Sequence, residues 1–399
     1  MRSCVVLSLL FGCHKSYDVP PIPVPDLSET YQEVQEYLES KRRELESMPS
    51  SADAWGVYAM ALDAHEYHPE AIICYRVATE LQPAEARWKY LLANRLTATS
   101  PEEADKLLSD LTSSANATLA ALVTHADVLS ELDRVSESDG LLVRAEAAHP
   151  RHPAVIWRQA QHAFEAGEFE AAREKLDAIE GNYRETERLK ARLRHFGGKT
   201  DAPLPDSTSA AEQLPSADQS IVDSDIAAVL RHRRDPLWRG KQAAEQAAAG
   251  DPLGLMSLAA LVKKHPELTG NRLQLAFLMA GSGAHEQAEQ IVREGLELFP
   301  DQEQLLVGLA ALATMNSEWE LAEKRLRKLI SVAPEHAAGW SDLAFVLEQR
   351  LQLHEALAAY DKAILLSPGD AELGVRRGAV QALIEKGRLP KKPSSSSPN

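Results

Sequence analysis

AAGWSDLAFVLEQRLQLHEALAAYDKAILLSPGD, residues 337–370, is the stretch that decides the fold. Trp340, Leu343, Ala344 and Leu347 recur at three- and four-residue spacing and mark one helix. Ala356, Tyr360 and Ala363 mark a second, and Pro368 ends the unit. The small residues let two helices approach closely, while Trp340 and Tyr360 fill the wider gaps between layers.

Moving this template back by 34 residues at a time lands on Pro334, Pro300 and Pro266. Ala322 and Ala288 fall under Ala356, and Leu326 and Val292 under Tyr360, so small and large positions recur with the prolines. The pattern resembles the tetratricopeptide repeat family, whose units carry Trp, Leu-Gly, Tyr, Ala, Phe/Tyr, Ala and Pro over 34 residues. The resemblance implies an all-α fold, an α-α superhelix of helix-turn-helix repeats, here in two blocks.

Nearer the N-terminus the template fits again. Trp55, Leu62, Ala71, Tyr75, Ala78 and Pro83 match one unit. Trp88, Leu92, Ala104 and Leu108 match the next, which has no closing proline. Ala126, Leu129, Leu142, Ala145 and Pro150 follow, with Ser138 at the usual Ala position, and Gly167, Phe169, Ala172 and Leu176 belong to a fourth unit. A helix from Asp26 or Ser28 to about Met48 covers the first repeat, and Glu187–Phe196 closes the block, giving an N-terminal block over 26–196. Residues 197–224 are rich in Pro, Ser, Asp and Gly without apolar period, so a disordered linker is expected there. The C-terminal block then runs over 225–388. It opens with a degraded unit carrying Trp238, Leu258 and Pro266, and Ala371–Gly387 is its capping helix. Residues 389–399, LPKKPSSSSPN, are expected to be a disordered tail.

The chain has 399 residues, 44% hydrophobic and 26% charged, enough to bury a sizeable core. Its net charge of −16, with no basic run longer than Arg231–Arg234, argues against nucleic-acid partners. The first residues, MRSCVVLSLLFGC, resemble a bacterial lipoprotein signal peptide over 1–12, with Leu10-Phe11-Gly12-Cys13 as lipobox and Cys13 as the acylated residue. Pro20, Pro21, Pro23 and Pro25 make 13–25 a Pro-rich tether, extended enough to hold the body about 40 Å from a bilayer. No later segment reaches the roughly 20 apolar residues of a span, so the membrane is met only through lipidated Cys13. His14 after that Cys resembles an outer-membrane sorting signal, giving a periplasm- or surface-facing protein; the alternative is a soluble cytoplasmic assembly or regulatory factor. With Cys4 removed and Cys13 acylated, Cys74 stands alone and no internal disulfide forms.

Motifs for chemistry fail on inspection. His285-Glu286 and His354-Glu355 begin like a zinc motif, but Glu289 and Ala358 stand where the second His is needed. His65 and His68 lie at a turn with no third ligand at the required spacing. Gly281 and Gly283 follow a helix rather than a strand, which suits helix capping better than phosphate binding. No enzyme activity, metal or cofactor is expected.

Binding is what this architecture offers. By resemblance, the first helix of each pair lines the concave side through positions 2, 5, 9 and 12 of the repeat. In the C-terminal block these are Leu273, Phe277, Val307, Ala311, Ser341, Phe345 and Glu348, an apolar-centred groove. In the N-terminal block they include Met60, Asp63, Lys89, Ala93, Asp127, Trp157, Gln161 and Phe164. The Lys and Asn clamp of chaperone-binding members is missing, so the expected partners are other proteins that present helical or extended apolar segments.

Overall fold

The 34-residue rhythm becomes antiparallel helix pairs. The computed structural model describes residues 19–196 and 214–388. These contain twenty α-helices and no strand, and the chain divides into two compact units between Arg234 and Asp235. Residues 1–12, Cys13, 197–213 and 389–399, on which the signal peptide, acylation site, most of the linker and the tail were placed, lie outside the described residues.

In the first unit α1 (Gln32–Ser47) precedes four pairs. These are α2 (Ala52–Ala64) with α3 (His68–Leu81), α4 (Ala86–Leu96) with α5 (Pro101–Thr112), α6 (Leu119–Glu131) with α7 (Val135–Ala148), and α8 (Pro153–Glu165) with α9 (Phe169–Asp177). Then come α10 (Arg184–Phe196), a 3-10 turn at Ala217–Ser220 and the short α11 (Ser224–Leu230). The repeat positions explain the packing. Ala71, Ala104, Ser138 and Ala172 are all fully buried where second helices touch first ones. Trp55 and Trp88 fill the space between pairs, and Val34, Leu38 and Leu45 turn one face of α1 into the same core.

The second unit has α12 (Pro236–Ala248) with α13 (Pro252–Lys264), α14 (Thr269–Gly281) with α15 (His285–Leu298), α16 (Glu303–Met315) with α17 (Trp319–Val332), and α18 (Ala337–Gln349) with α19 (Leu353–Leu366). The last helix, α20 (Ala371–Arg388), buries Leu373, Val380 and Ile384 against that stack. Certain contacts repeat across the two units. The indole N–H groups of Trp55 and Trp340 donate to the carbonyls of Pro49 and Pro334, each six residues earlier, at 2.8 Å. The Tyr75 hydroxyl donates to Asp63 at 3.2 Å, and that of Tyr360 to Glu348 at 3.3 Å.

Two sequence boundaries move. Val19, Ile22 and Leu27 pack on the core of the first repeat, Pro25 is buried, and the Tyr58 hydroxyl donates to the Pro23 carbonyl at 3.0 Å. The described part of the proposed tether, 19–25, is therefore docked, because its apolar side chains find a surface that the pattern of prolines does not reveal. Likewise residues 214–234 belong to the first unit, and the second begins at Asp235 rather than 225. Ala217 is buried and Ile221 packs on the cluster of Leu122, Val123 and Leu142, so residues 214–224 are folded on the array instead of serving as a free linker.

In every pair except α4–α5 the turn places one residue in the left-handed region. Gly283, Ser317 and Leu351, spaced by 34, have φ of 87°, 58° and 60°, as do Glu66 (70°), Asp133 (59°) and Gly167 (81°) at the same repeat position. Glycine alone reaches this conformation without a steric cost of roughly 1–2 kcal/mol. Leu351 is 80% exposed and so loses little packing on truncation. Leu351→Gly is therefore expected to stabilise the second unit by about 1 kcal/mol, read as a rise in the denaturant midpoint.

Candidate protein-binding grooves

In the first unit the line of first helices is occupied by the chain itself. Residues 214–234 run along them from the fourth repeat back to α1. At the start, the Arg184 backbone N–H donates to the Pro215 carbonyl at 3.0 Å, and the Ala217 N–H to Glu185 at 2.9 Å. Arg158 on α8, only 7% exposed, then grips Asp218. Its guanidinium donates to Asp218 at 2.6 and 3.2 Å, to Asp127 on α6 at 2.6 and 2.7 Å, and to the Ala154 carbonyl at 2.7 Å. Burial works against the charge of Arg158, but the two carboxylates more than offset it and raise its pKa.

Further along, Ile221 packs on the apolar cluster of Leu122, Val123 and Leu142. Asp223 accepts from the Tyr90 hydroxyl at 2.5 Å and caps α11 through the Asp225 and Ile226 N–H groups, both at 3.0 Å. Asp225 accepts from Arg87 at 3.1 Å. Val229 joins the core of the first repeats, with Ile226 beside it. The basic end closes the run. Arg233 donates to Glu66 at 3.3 Å, the Arg234 backbone N–H donates to His65 Nε2 at 2.9 Å, and the Arg234 guanidinium lies 4.3 Å from the centre of the Tyr37 ring. Beside the segment a cavity of 840 Å³ remains, walled by Asn94, Thr124 and Glu131 on the array and by Ile221 and Ile226 on the segment.

His232 ends up with Nδ1 at 2.6 Å from the Tyr37 hydroxyl. Burial first, and then Arg234, Lys41, His65 and Arg231, push its pKa down from 6.5 to about 4. A docked His232 thus stays neutral where an undocked one takes a proton. The contribution of His232 to docking of residues 231–234 is expected to be fully present above pH 6.5 and to be lost as pH falls towards 4. Amide exchange of 231–234, corrected for intrinsic pH dependence, should rise across that window while the α2 amides stay protected.

The groove positions read from the sequence divide. Arg87, Tyr90 and Arg158, at repeat positions 3, 6 and 6, are what meet the segment, with Asp127 at position 9 acting through Arg158. Met60 and Phe164 are buried core residues, 5% and 8% exposed, and Phe164 lies 5.5 Å from Phe169 and 4.4 Å from the Arg192 guanidinium. Lys89 pairs with Asp110 on α5, and Trp157 lies under the Arg158 guanidinium at 4.7 Å. The residues that touch the segment thus stand one place beyond positions 2 and 5 of the repeat, while Asp127 keeps position 9. These three residues carry a signal in the sequence only once their ligand is known.

In the second unit Leu273 and Phe277 pack against the core of Ala276, Val292 and Leu305, and Leu273 covers Gly308. Phe345 is half-buried with its ring edge-on to Trp319 at 6.1 Å, and Glu348 is taken up by Tyr360. Val307, Ala311 and Ser341 are likewise partly buried, and Val307 packs on the core around Leu306 and Ala310.

Other reactive groups are committed to structure. His65 uses Nδ1 on the Ala61 carbonyl at 2.7 Å as well as Nε2 on Arg234, and His68 contacts Asp63 at 3.1 Å. The Cys74 thiol is buried, which pushes its pKa up and makes it unreactive. The hollow beside Gly283 is lined by Glu286, Glu289 and Glu318, the wrong charge for a phosphate. Among the described residues no three His, Cys, Asp or Glu side chains are grouped to hold a metal, and no helix is long and apolar enough to cross a membrane.

The described residues thus define a helical-repeat protein built of helix pairs. No family model matches the chain, and no curated protein matches it. Among solved structures it is similar to MamA 41-end from Desulfovibrio magneticus RS-1, at 18% identity over 38% of this chain and 85% of that one, with a TM-score of 0.32. MamA AMB-1 aligns at 17% identity over 39% and 86%, with a TM-score of 0.31. Naa15/Naa10 bound to HypK-THB aligns at 16% identity over 92% of this chain and 62% of that one, with a TM-score of 0.32. Similarity of this degree says nothing of what the chain binds.

Proposed function

We propose that this chain is a non-catalytic scaffold that holds segments of other proteins against the first helices of its repeats. One observation carries the reading: the first unit already holds a peptide segment along those helices through side chains at recurring repeat positions. Preformed helices recognise such a segment without a large ordering cost of their own. In the second unit the corresponding face offers Val307, Ala311 and Ser341 between Phe277 and Phe345, suited to a helical or extended apolar segment. A photo-crosslinking residue at Ala311 or Ser341, with one at exposed Arg293 as control, tests this in the native cell. A discrete adduct with another protein from the first two sites alone supports the scaffold. Equal labelling from all three would sink it.

The scaffold is further proposed to be a bacterial lipoprotein, acylated on Cys13 and facing the periplasm or cell surface, with the outer membrane favoured. Its support is Leu10-Phe11-Gly12-Cys13 with the apolar run before it. Because docking begins at Val19, the six residues from Cys13 span at most about 22 Å, and the body would sit nearer the lipid than a free tether through residue 25 allows. Mass spectrometry of the mature chain decides: a diacylated Cys13 at the N-terminus is expected, and an intact Met1 rules the anchor out.

A further inference from the structure

We propose that the first-helix groove of the N-terminal unit is an exchangeable peptide site, that residues 214–234 are its resident occupant, and that it takes bipolar segments of other proteins in their place. The proposal rests on the scaffold reading and specifies the ligand for this one groove.

The segment is held like a ligand rather than like a repeat. It has no 34-residue partner, runs counter to the order of the repeats, and meets first helices or the α1–α2 end at nearly every contact. Much of its grip is polar and at the rim. Asp218 and Asp127 are about half exposed beside buried Arg158, and the Arg87–Asp225 and Arg233–Glu66 pairs lie at the surface. Exposed pairs contribute little each, so they specify register without locking the segment in place. Its buried apolar anchors are small in number, Ala217 and Val229, with Ile221 and Ile226 partly covered. The 840 Å³ cavity left beside Ile221 and Ile226 shows that this occupant does not fill the groove. A partner with larger aliphatic side chains at those points would gain burial that the chain's own segment forgoes.

The contacts also define what fits. Asp218, Asp223 and Asp225 meet Arg158, Tyr90 and Arg87, branched aliphatics at 221, 226 and 229 meet the apolar floor, and Arg233 and Arg234 meet Glu66 and Tyr37. The charge order is therefore acidic over 218–225 and basic over 231–234, with aliphatics interleaved at 221, 226 and 229, against a groove of opposite charge order. A segment reading the other way would place carboxylates on Glu66 and cations on Arg158. Because the resident segment is tethered, it competes at an effective concentration in the millimolar range, and an added peptide binds poorly until the segment is loosened.

The probe is a fluorescein-labelled peptide of residues 214–234, with a control in which its three Asp residues are Lys. The proteins are the full chain and the same chain carrying Asp218→Lys, Ile221→Ser and Asp223→Lys. The substituted chain should bind the probe at least ten times more tightly than the unsubstituted chain, the control peptide should not bind, and Arg158→Glu in the same background should remove binding. Unchanged affinity with retained helicity would overturn exchange. Loss of cooperative unfolding of the first unit would overturn it too, by making the segment part of the core. Hydrogen exchange on the unsubstituted chain needs no variant: amides of 221–230 must open far more readily than those of α2, and equal protection overturns the proposal. An unsubstituted chain that is dimeric by light scattering and becomes monomeric with excess peptide would overturn occupancy by the chain's own segment in favour of a second copy's. Crosslinking at Ala311 and Ser341 reports on the other unit, so failure here and failure of the scaffold reading are separable.

Discussion

Gly56→Ala is expected to destabilise the first unit by about 2 kcal/mol, although alanine is the better helix former by about 1 kcal/mol. Gly56 lies within α2, where a Cβ would sit 2.5 Å from three atoms of the six-membered ring of Trp88. Trp88 is 2% exposed, wedged where the second repeat meets the first, and a rigid bicyclic ring has no flexible end to swing aside. Gly308 is the instructive contrast. A Cβ there would come even closer to one atom, 2.2 Å from Leu273 Cδ2, but that is the tip of a half-exposed, rotatable side chain. Gly308→Ala should therefore change stability by less than about 1 kcal/mol in either direction. Trp88→Ala alone should cost about 3–5 kcal/mol, and combining it with Gly56→Ala should cost less than the sum, since the ring that clashes is gone. Hydrogen exchange of the α2 and α4 amides is the suitable readout, because a chain of two units need not melt in one step.

The repeat register was legible because it is written several times over. Ala71, Ala104, Ala172, Ala288, Ala322 and Ala356 stand at one repeat position and every one is fully buried, and the pairs built on them are where the template puts them. Residues 214–234 were illegible for the opposite reason. Their apolar residues, Ile221, Ile226 and Val229, have neither a 2- nor a 3.6-residue period, and the Asp, Ser and Pro between them are what a solvated linker also contains. Their meaning lies in partners distant in the chain, 60 positions away in Arg158 for Asp218, 133 in Tyr90 for Asp223 and 169 in His65 for Arg234. The usable trace was charge order: three Asp without a cation, then Arg231–Arg234, facing first helices that carry Arg158 and Arg87 and, at the other end, Glu66 in the α2–α3 turn. The same long-range dependence hid the docking of 19–25, since nothing in Val19 or Ile22 names the α1–α2 surface that receives them.

From the sequence, Phe277→Asp with Phe345→Asp removes partner capture at little cost in stability if both rings line the second groove, and costs much stability if they pack as core. The packing favours the second outcome. Phe277 belongs to the cluster around Val292 and Leu305, and Phe345 to that around Leu343, Ala344 and Tyr360, where it also makes the edge-on contact with Trp319. Removing a half-buried ring forfeits part of the roughly 1.5–3 kcal/mol of its burial, and losing an aromatic pair adds about 0.5–1.5 kcal/mol. A carboxylate must then be solvated at each site, so about 2 kcal/mol per substitution is expected, and nearly additively because the two clusters are distinct. The second unit should lose about 4 kcal/mol, seen as a large fall in its denaturant midpoint, so any loss of partner capture by this variant would report unfolding as much as recognition. Ala311→Arg and Ser341→Arg, at partly buried positions with small side chains, should each stay within about 1 kcal/mol of the parent while blocking the groove by bulk and charge. Capture lost with the melting profile retained is the result that separates a binding face from a core face, and a stable Ala311→Arg chain that still captures its partner would move the site off this groove.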